Sequence, residues 1–150
     1  MLRLLFIFIL LFAASQTMAQ TIITWETLAD VEFTREYFDE ADAYFYYPHF
    51  GPSVKALEGQ EVLLNGYMLP IDPKQGFYVL SKNPFAACFF CGSSGPESIV
   101  ELILKPDHPK FKMDEVITMK GKLRLNKDDL NFCNYILEEA EVAASIYQGY

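Results

Sequence analysis

Two long strand-like runs, each interrupted once by a glycine near its middle, do most to limit what this chain can fold into. The first is Glu61-Val-Leu-Leu-Asn-Gly66-Tyr-Met-Leu-Pro-Ile71, and the second is Glu115-Val-Ile-Thr-Met-Lys-Gly121-Lys-Leu-Arg-Leu125. The second alternates apolar and polar residues, the period of a strand with one face in a core. A glycine inside such a run marks a bend, a bulge or a close backbone approach. Three shorter runs complete the set: residues 77–80, reached through the turn Asp72-Pro-Lys-Gln-Gly76, then Ile99–Leu104 and 135–142. The last contains Ala and Glu, good helix formers, but its position as partner of the preceding strand makes it a strand. Five strands with this spacing predict a mainly β fold, a small five-stranded barrel of the OB type with strand three parallel to strand five. The helix usual between strands three and four has no room in residues 105–114. A short helix over residues 53–57, ended by Gly59, is expected to cap the barrel instead.

The chain of 150 residues is long enough for one domain with a real core. Its start reads differently from the rest. Arg3 is followed by an apolar run over residues 4–14 and by small residues ending in Ala19. That is the layout of a secretory signal peptide, 1–19. The run is too short for a membrane span, which needs roughly 20 residues, and no cysteine follows it to carry a lipid. The expectation is therefore a periplasmic or secreted protein with no stable membrane span after cleavage. Residues 20–58 form an N-terminal extension packing on the barrel, and 59–150 form the barrel domain. In the extension, Thr24 caps a helical turn at Trp25, residues 31–37 alternate as a strand, and 43–47 return as a second. Pro48-His-Phe-Gly-Pro52 is expected to break it. The aromatic run from Tyr44 to Phe50 reads as core or barrel-capping material rather than as a binding surface.

The formal charge is -8, and loss of Arg3 with the leader makes it -9. An acidic domain without a Lys/Arg cluster is poorly suited to holding nucleic-acid phosphates. Motifs for zinc hydrolysis, serine nucleophiles and phosphate-cradling loops are also missing. The chemistry-bearing stretch is Cys88-Phe-Phe-Cys91-Gly-Ser-Ser-Gly-Pro-Glu97, with Cys133 the third cysteine.

Three readings of the cysteines follow. In an oxidising compartment a disulfide is the default, Cys88–Cys91 or one of them to Cys133. Closing a loop of about 40 residues would contribute roughly 3–4 kcal/mol in the chain-entropy model. The second reading is a metal site for zinc or another thiophilic metal, with Cys88, Cys91 and Cys133 as ligands and His49 as the fourth. Strands three and five, if parallel, start at one end of the barrel, which would bring Cys133 toward the pair. His108 belongs at the other end. The third reading is thiol–disulfide redox chemistry at Cys88 and Cys91, which normally needs a helix N-terminus to lower the thiol pKa. Gly92-Ser-Ser-Gly-Pro96 is poor helix material. Glu97 is a ligand, a base or a turn carboxylate. The pairs Asp128-Asp129 and Glu138-Glu139 read as solvated faces.

Four elements in order, Leu57-Glu-Gly-Gln-Glu-Val62, Gly66-Tyr-Met-Leu-Pro70, the cysteine segment to Glu97, and Gly121-Lys-Leu-Arg-Leu-Asn126, resemble a family of uncharacterised bacterial exported proteins with an OB-like domain. The resemblance covers roughly residues 55–145. In that family the cysteine segment often reads Cys-x-His followed by prolines, whereas here Phe90 stands in the place of the His and Cys91 supplies the second polar group. The resemblance implies the fold and an envelope location, suggests a link to metal supply, and brings no activity. Together these readings describe an exported, non-catalytic binding or accessory protein whose cysteine loop is a staple or a metal site, with an envelope protein or a small ligand as its partner. The alternative is a periplasmic thiol–disulfide protein using Cys88 and Cys91.

Overall fold

The computed structural model describes residues 21–143, so the expected signal peptide lies outside the described residues. In chain order the elements are β1 (Thr21–Ile22), α1 (Trp25–Leu28), β2 (Val31–Phe38), β3 (Ala43–Phe50), α2 (Pro52–Lys55), β4 (Glu61–Asp72), β5 (Phe77–Ser81), β6 (Ile99–Leu104), β7 (Glu115–Leu125) and β8 (Tyr135–Val142). β4, β5, β6, β8 and β7 pair in that order, and β7 returns to β4, closing a five-stranded barrel. β6 and β8 run parallel, as in the expected OB order. β1 adds as an extra strand beside β4. Residues 105–114 contain no helix, and 135–142 are a strand.

Both mid-strand glycines earn their place by contact. A Cβ on Gly121 would sit 2.9 Å from the Glu138 carbonyl oxygen and 3.0 Å from the Leu137 Cβ. Across from it β8 carries a bulge, where Glu139 takes a positive φ of 50°. A Cβ on Gly66 would meet the Ser81 carbonyl oxygen at 2.7 Å and the Trp25 ring at 2.9 Å. That indole lies over the bend and donates to the Asn65 carbonyl oxygen at 2.8 Å.

The barrel interior is filled by alternate residues, among them Leu64, Met68, Leu80, Val100, Leu102, Met119 and Leu137. The same core takes in Leu28, Phe50, Val54 and Leu57 from outside the barrel strands. Buried Tyr135 ties the two together, its hydroxyl donating to the Leu28 carbonyl oxygen at 2.7 Å.

β2 and β3 form a separate two-stranded ribbon. The expected break at Pro48 does not occur, and β3 runs through to Phe50. In a two-stranded ribbon each strand has one unpaired side, and a proline there removes no ladder hydrogen bond.

Gly121→Ala is expected to destabilise the protein by roughly 1–3 kcal/mol, the usual cost of forcing atoms into a packed site. A lower denaturant midpoint with an unchanged unfolding slope would show it; an unchanged midpoint would mean that the bulge relaxes freely.

Candidate functional site

Strand alternation gives the barrel wall a second buried face. On β4, β5 and β6 the inward residues are Met68, Tyr78, Leu80, Val100 and Leu102, while Leu69, Val79 and Ile99 point outward. These outward residues form a small second core with Cys88, which is fully buried. The cysteine segment is thus a cover laid on the outside of the barrel. It is built from three 3-10 turns, Phe85–Ala87, Phe89–Cys91 and Pro96–Ser98. Gly92, at φ 72°, supplies the left-handed position between the second and third.

Hydrogen bonds hold this cover in place. Asp114 accepts the Phe85 N–H at 2.7 Å, and Asn83 donates to the Ser94 hydroxyl at 2.8 Å. Ser94 in turn donates to the Ala87 carbonyl oxygen at 2.9 Å, and the Cys91 thiol donates to that of Phe85 at 3.1 Å. All three cysteines are free thiols, so the expected disulfide staple is replaced by packing at Cys88 and by this polar lattice. Cys88 behaves as a small hydrophobe.

The redox arrangement lacks both structural supports. No α-helix starts at Cys91, and Cys88 is sealed. Cys91 is exposed, but its thiol is pushed up by desolvation and then by the neighbouring Cys88 sulfur. A raised thiol pKa means less nucleophilic thiolate at neutral pH.

The predicted metal ligands come together only in part: Cys88 and Cys91 are neighbours, Cys133 packs against the same small outer core, and His49 lies on the ribbon. Among the described residues no three of His, Cys, Asp and Glu group so as to hold an ion. His49 lies on the exposed face of β3, its Nε2 2.8 Å from the Thr34 hydroxyl and 3.9 Å from Glu36. Its ring packs edge-on to Tyr47. His108 stacks on Phe111 in the connection after β6. Glu97 folds back over Gly95 within its own turn. The described residues thus offer no three-ligand set for a zinc-like ion.

Parallel pairing of β6 and β8 does bring Cys133 to the start of β6, but what it meets there is Glu101. The Glu101 carboxylate accepts the Cys133 backbone N–H at 2.8 Å. Burial, followed by the Glu101 charge and hydrogen bond, pushes the Cys133 thiol up to about 12. Glu101 follows Ile99 on the outward face of β6 and is only 7% exposed.

Above Glu101 opens a cleft of about 330 Å³. Phe77 and Phe89 border one side, Phe38, Tyr44 and Phe45 of the ribbon another, and the 126–134 loop the third. Phe38 and Phe45 pack edge to face at 5.6 Å, as do Phe89 and Phe90 at 5.8 Å. The predicted core run from Tyr44 to Phe50 is therefore split. Phe50 enters the barrel core, whereas Tyr44 to Tyr46 line the cleft.

Buried Asn126 shapes the loop. Its amide donates to the carbonyl oxygens of Asp129, Phe132 and Cys133 at 2.7, 3.1 and 3.2 Å, and its oxygen accepts the Asp129 N–H. Glu101, Ser94 and Asn126 carry the site; the sequence places Ser94 in the cysteine segment and Asn126 at a chain turn, but gives none of the three a site role. The signal for Glu101 was present: it is the lone charge in Ile-Val-Glu-Leu-Ile-Leu.

Fold and site together define a closed OB-type β-barrel with a covered outer face and an aromatic cleft over strands two and three of the barrel. The chain is similar to the crystal structure of a DUF3299 family protein from Pseudomonas aeruginosa PAO1, with a TM-score of 0.53 and 17% identity, over 87% of this chain and 99% of that one. At that identity the likeness speaks for the fold. No family model and no curated protein matches the sequence. No helix among the described residues is long and apolar enough to cross a membrane.

Thiol labelling of the native protein is expected to modify Cys91 first, with Cys88 and Cys133 reacting only after denaturation. Alkaline stability tests the Cys133 environment. This thiol stays neutral in the folded protein to about pH 12, but in the unfolded chain it ionises near 9.0. Over that window the unfolded state loses its proton first, so stability falls as pH rises. In Cys133→Ala the decline between pH 9 and 12 should be shallower. Burial also pushes up the Tyr135 phenol, but it titrates in both proteins and cancels in the difference.

Proposed function

We propose that this is an exported, non-catalytic accessory protein that binds a small organic ligand in the cleft above Glu101. The single observation that carries the reading is the cleft itself, a concave site with aromatic walls on two sides and a polar loop on the third, of a size near the lower end for small-molecule sites. Its place on the barrel supports this. OB barrels use the face of strands two and three and the loop between strands four and five to bind ligands, and here those are β5, β6 and the 126–134 loop. An acidic chain disfavours the oligonucleotides that many such barrels take. Export rests on the reading of residues 1–19. The cysteine loop serves in this proposal as the cover that shapes one wall.

Filling the cleft tests it. Leu130 lines the cleft and is partly exposed, so Leu130→Trp should fold normally while blocking entry. Ligand-observed NMR with a set of small aromatic fragments should detect binders to the wild type that lose at least tenfold in affinity on the variant. Fragments that bind both proteins equally would move the site elsewhere.

A further inference from the structure

The base of the cleft holds a carboxylate without a counter-charge. Glu101 is more than nine-tenths buried, yet among the described residues it makes no ion pair with any Lys or Arg. Its protein partners are the backbone N–H and the thiol of Cys133, and neither brings a positive charge. A buried ionised carboxylate is costly unless an opposite charge is paired with it. Glu101 borders a cleft with aromatic rings on two sides and a polar loop on the third, and the one basic residue of that lining, Lys127, makes no ion pair with it.

We propose that the cleft binds an organic cation, a protonated or quaternary amine on an apolar or aromatic body, with its charge at the Glu101 carboxylate. This rests on the ligand-binding reading above and names the ligand class. Ring faces attract cations, and a desolvated aromatic site strengthens that attraction. Phe132, on the loop side, already has a cation over it: the Arg124 guanidinium lies 5.1 Å from its ring centre. The approach is acidic too. Asp129 lines the cleft, and the adjoining recess at the ribbon tip carries Glu40 and Asp128. Lys127 is the one basic residue of the cleft lining. With a net charge of -8, the whole molecule concentrates cations and repels anions.

Three indoles with side chains of similar size and different charge test the assignment by calorimetric titration: tryptamine (cationic), tryptophol (neutral) and indole-3-acetate (anionic). Tryptamine should bind at least tenfold more tightly than tryptophol, and indole-3-acetate should bind weakest. In Glu101→Gln, tryptamine should fall to the affinity of tryptophol, while tryptophol is unchanged. If that variant fails to fold, the charge series on the wild type decides alone. Equal affinities for tryptamine and tryptophol would overturn the cation assignment and leave the cleft as a ligand site. If none of the three binds and the fragment set does not distinguish Leu130→Trp from the wild type, both readings fall.

Discussion

The parallel pairing of β6 with β8 is the contact on which the rest of the structure depends. Four of the barrel's five junctions are antiparallel, and a connected antiparallel sheet alone would leave two open edges. Laying β8 between β6 and β7 removes them, while β7 returns to β4. Because the pairing is parallel, the chain entering β8 arrives where β6 begins. The 126–134 loop is thereby delivered onto the outer face of β6, and the Cys133 N–H onto Glu101. A charge-assisted hydrogen bond of this kind contributes roughly 1.5–3 kcal/mol. It fixes the loop at the point where the cleft forms.

Closure also sets what the outer wall must do. The strands of a small barrel turn every second residue outward, and here Leu69, Val79 and Ile99 are apolar on that side as well. Left bare, they would form an exposed apolar patch. The cysteine segment covers them, with Cys88 as the buried contact and Ser94, Asn83 and Asp114 as its hydrogen-bonding anchors. A segment made of short 3-10 turns can follow the curved wall where a straight helix could not. The same geometry denies Cys91 the helix dipole that a reactive thiol pair uses.

The chemistry of the cleft follows from which side chains lie under and which beside this cover. The cover reaches the cleft at Phe89 and Pro96, and the nearly buried Glu101 borders the same cleft. The ribbon of β2 and β3 supplies the facing wall, with Tyr47 reaching the Asp128 carboxylate at 3.4 Å across to the loop. Affinity in such a site would come from apolar burial and selectivity from the charge at its base.

Period-2 alternation and the two mid-strand glycines made the barrel legible from the chain alone, including its parallel junction and the absence of a helix in residues 105–114. Local patterns report which residues can share a face, and Gly66 and Gly121 report where backbones must approach. The cysteines were the least legible part. Cys-x-x-Cys spacing in a chain read as exported made a staple the default reading and left an ion or a redox pair as alternatives, and only packing decides whether a sulfur is buried, paired or exposed. Likewise the charge of Glu101 within an apolar strand is visible in the sequence, but its burial without a counter-ion is not. That depends on the 126–134 loop and the ribbon folding over the same stretch of β6, contacts between residues tens of positions apart that no local pattern encodes.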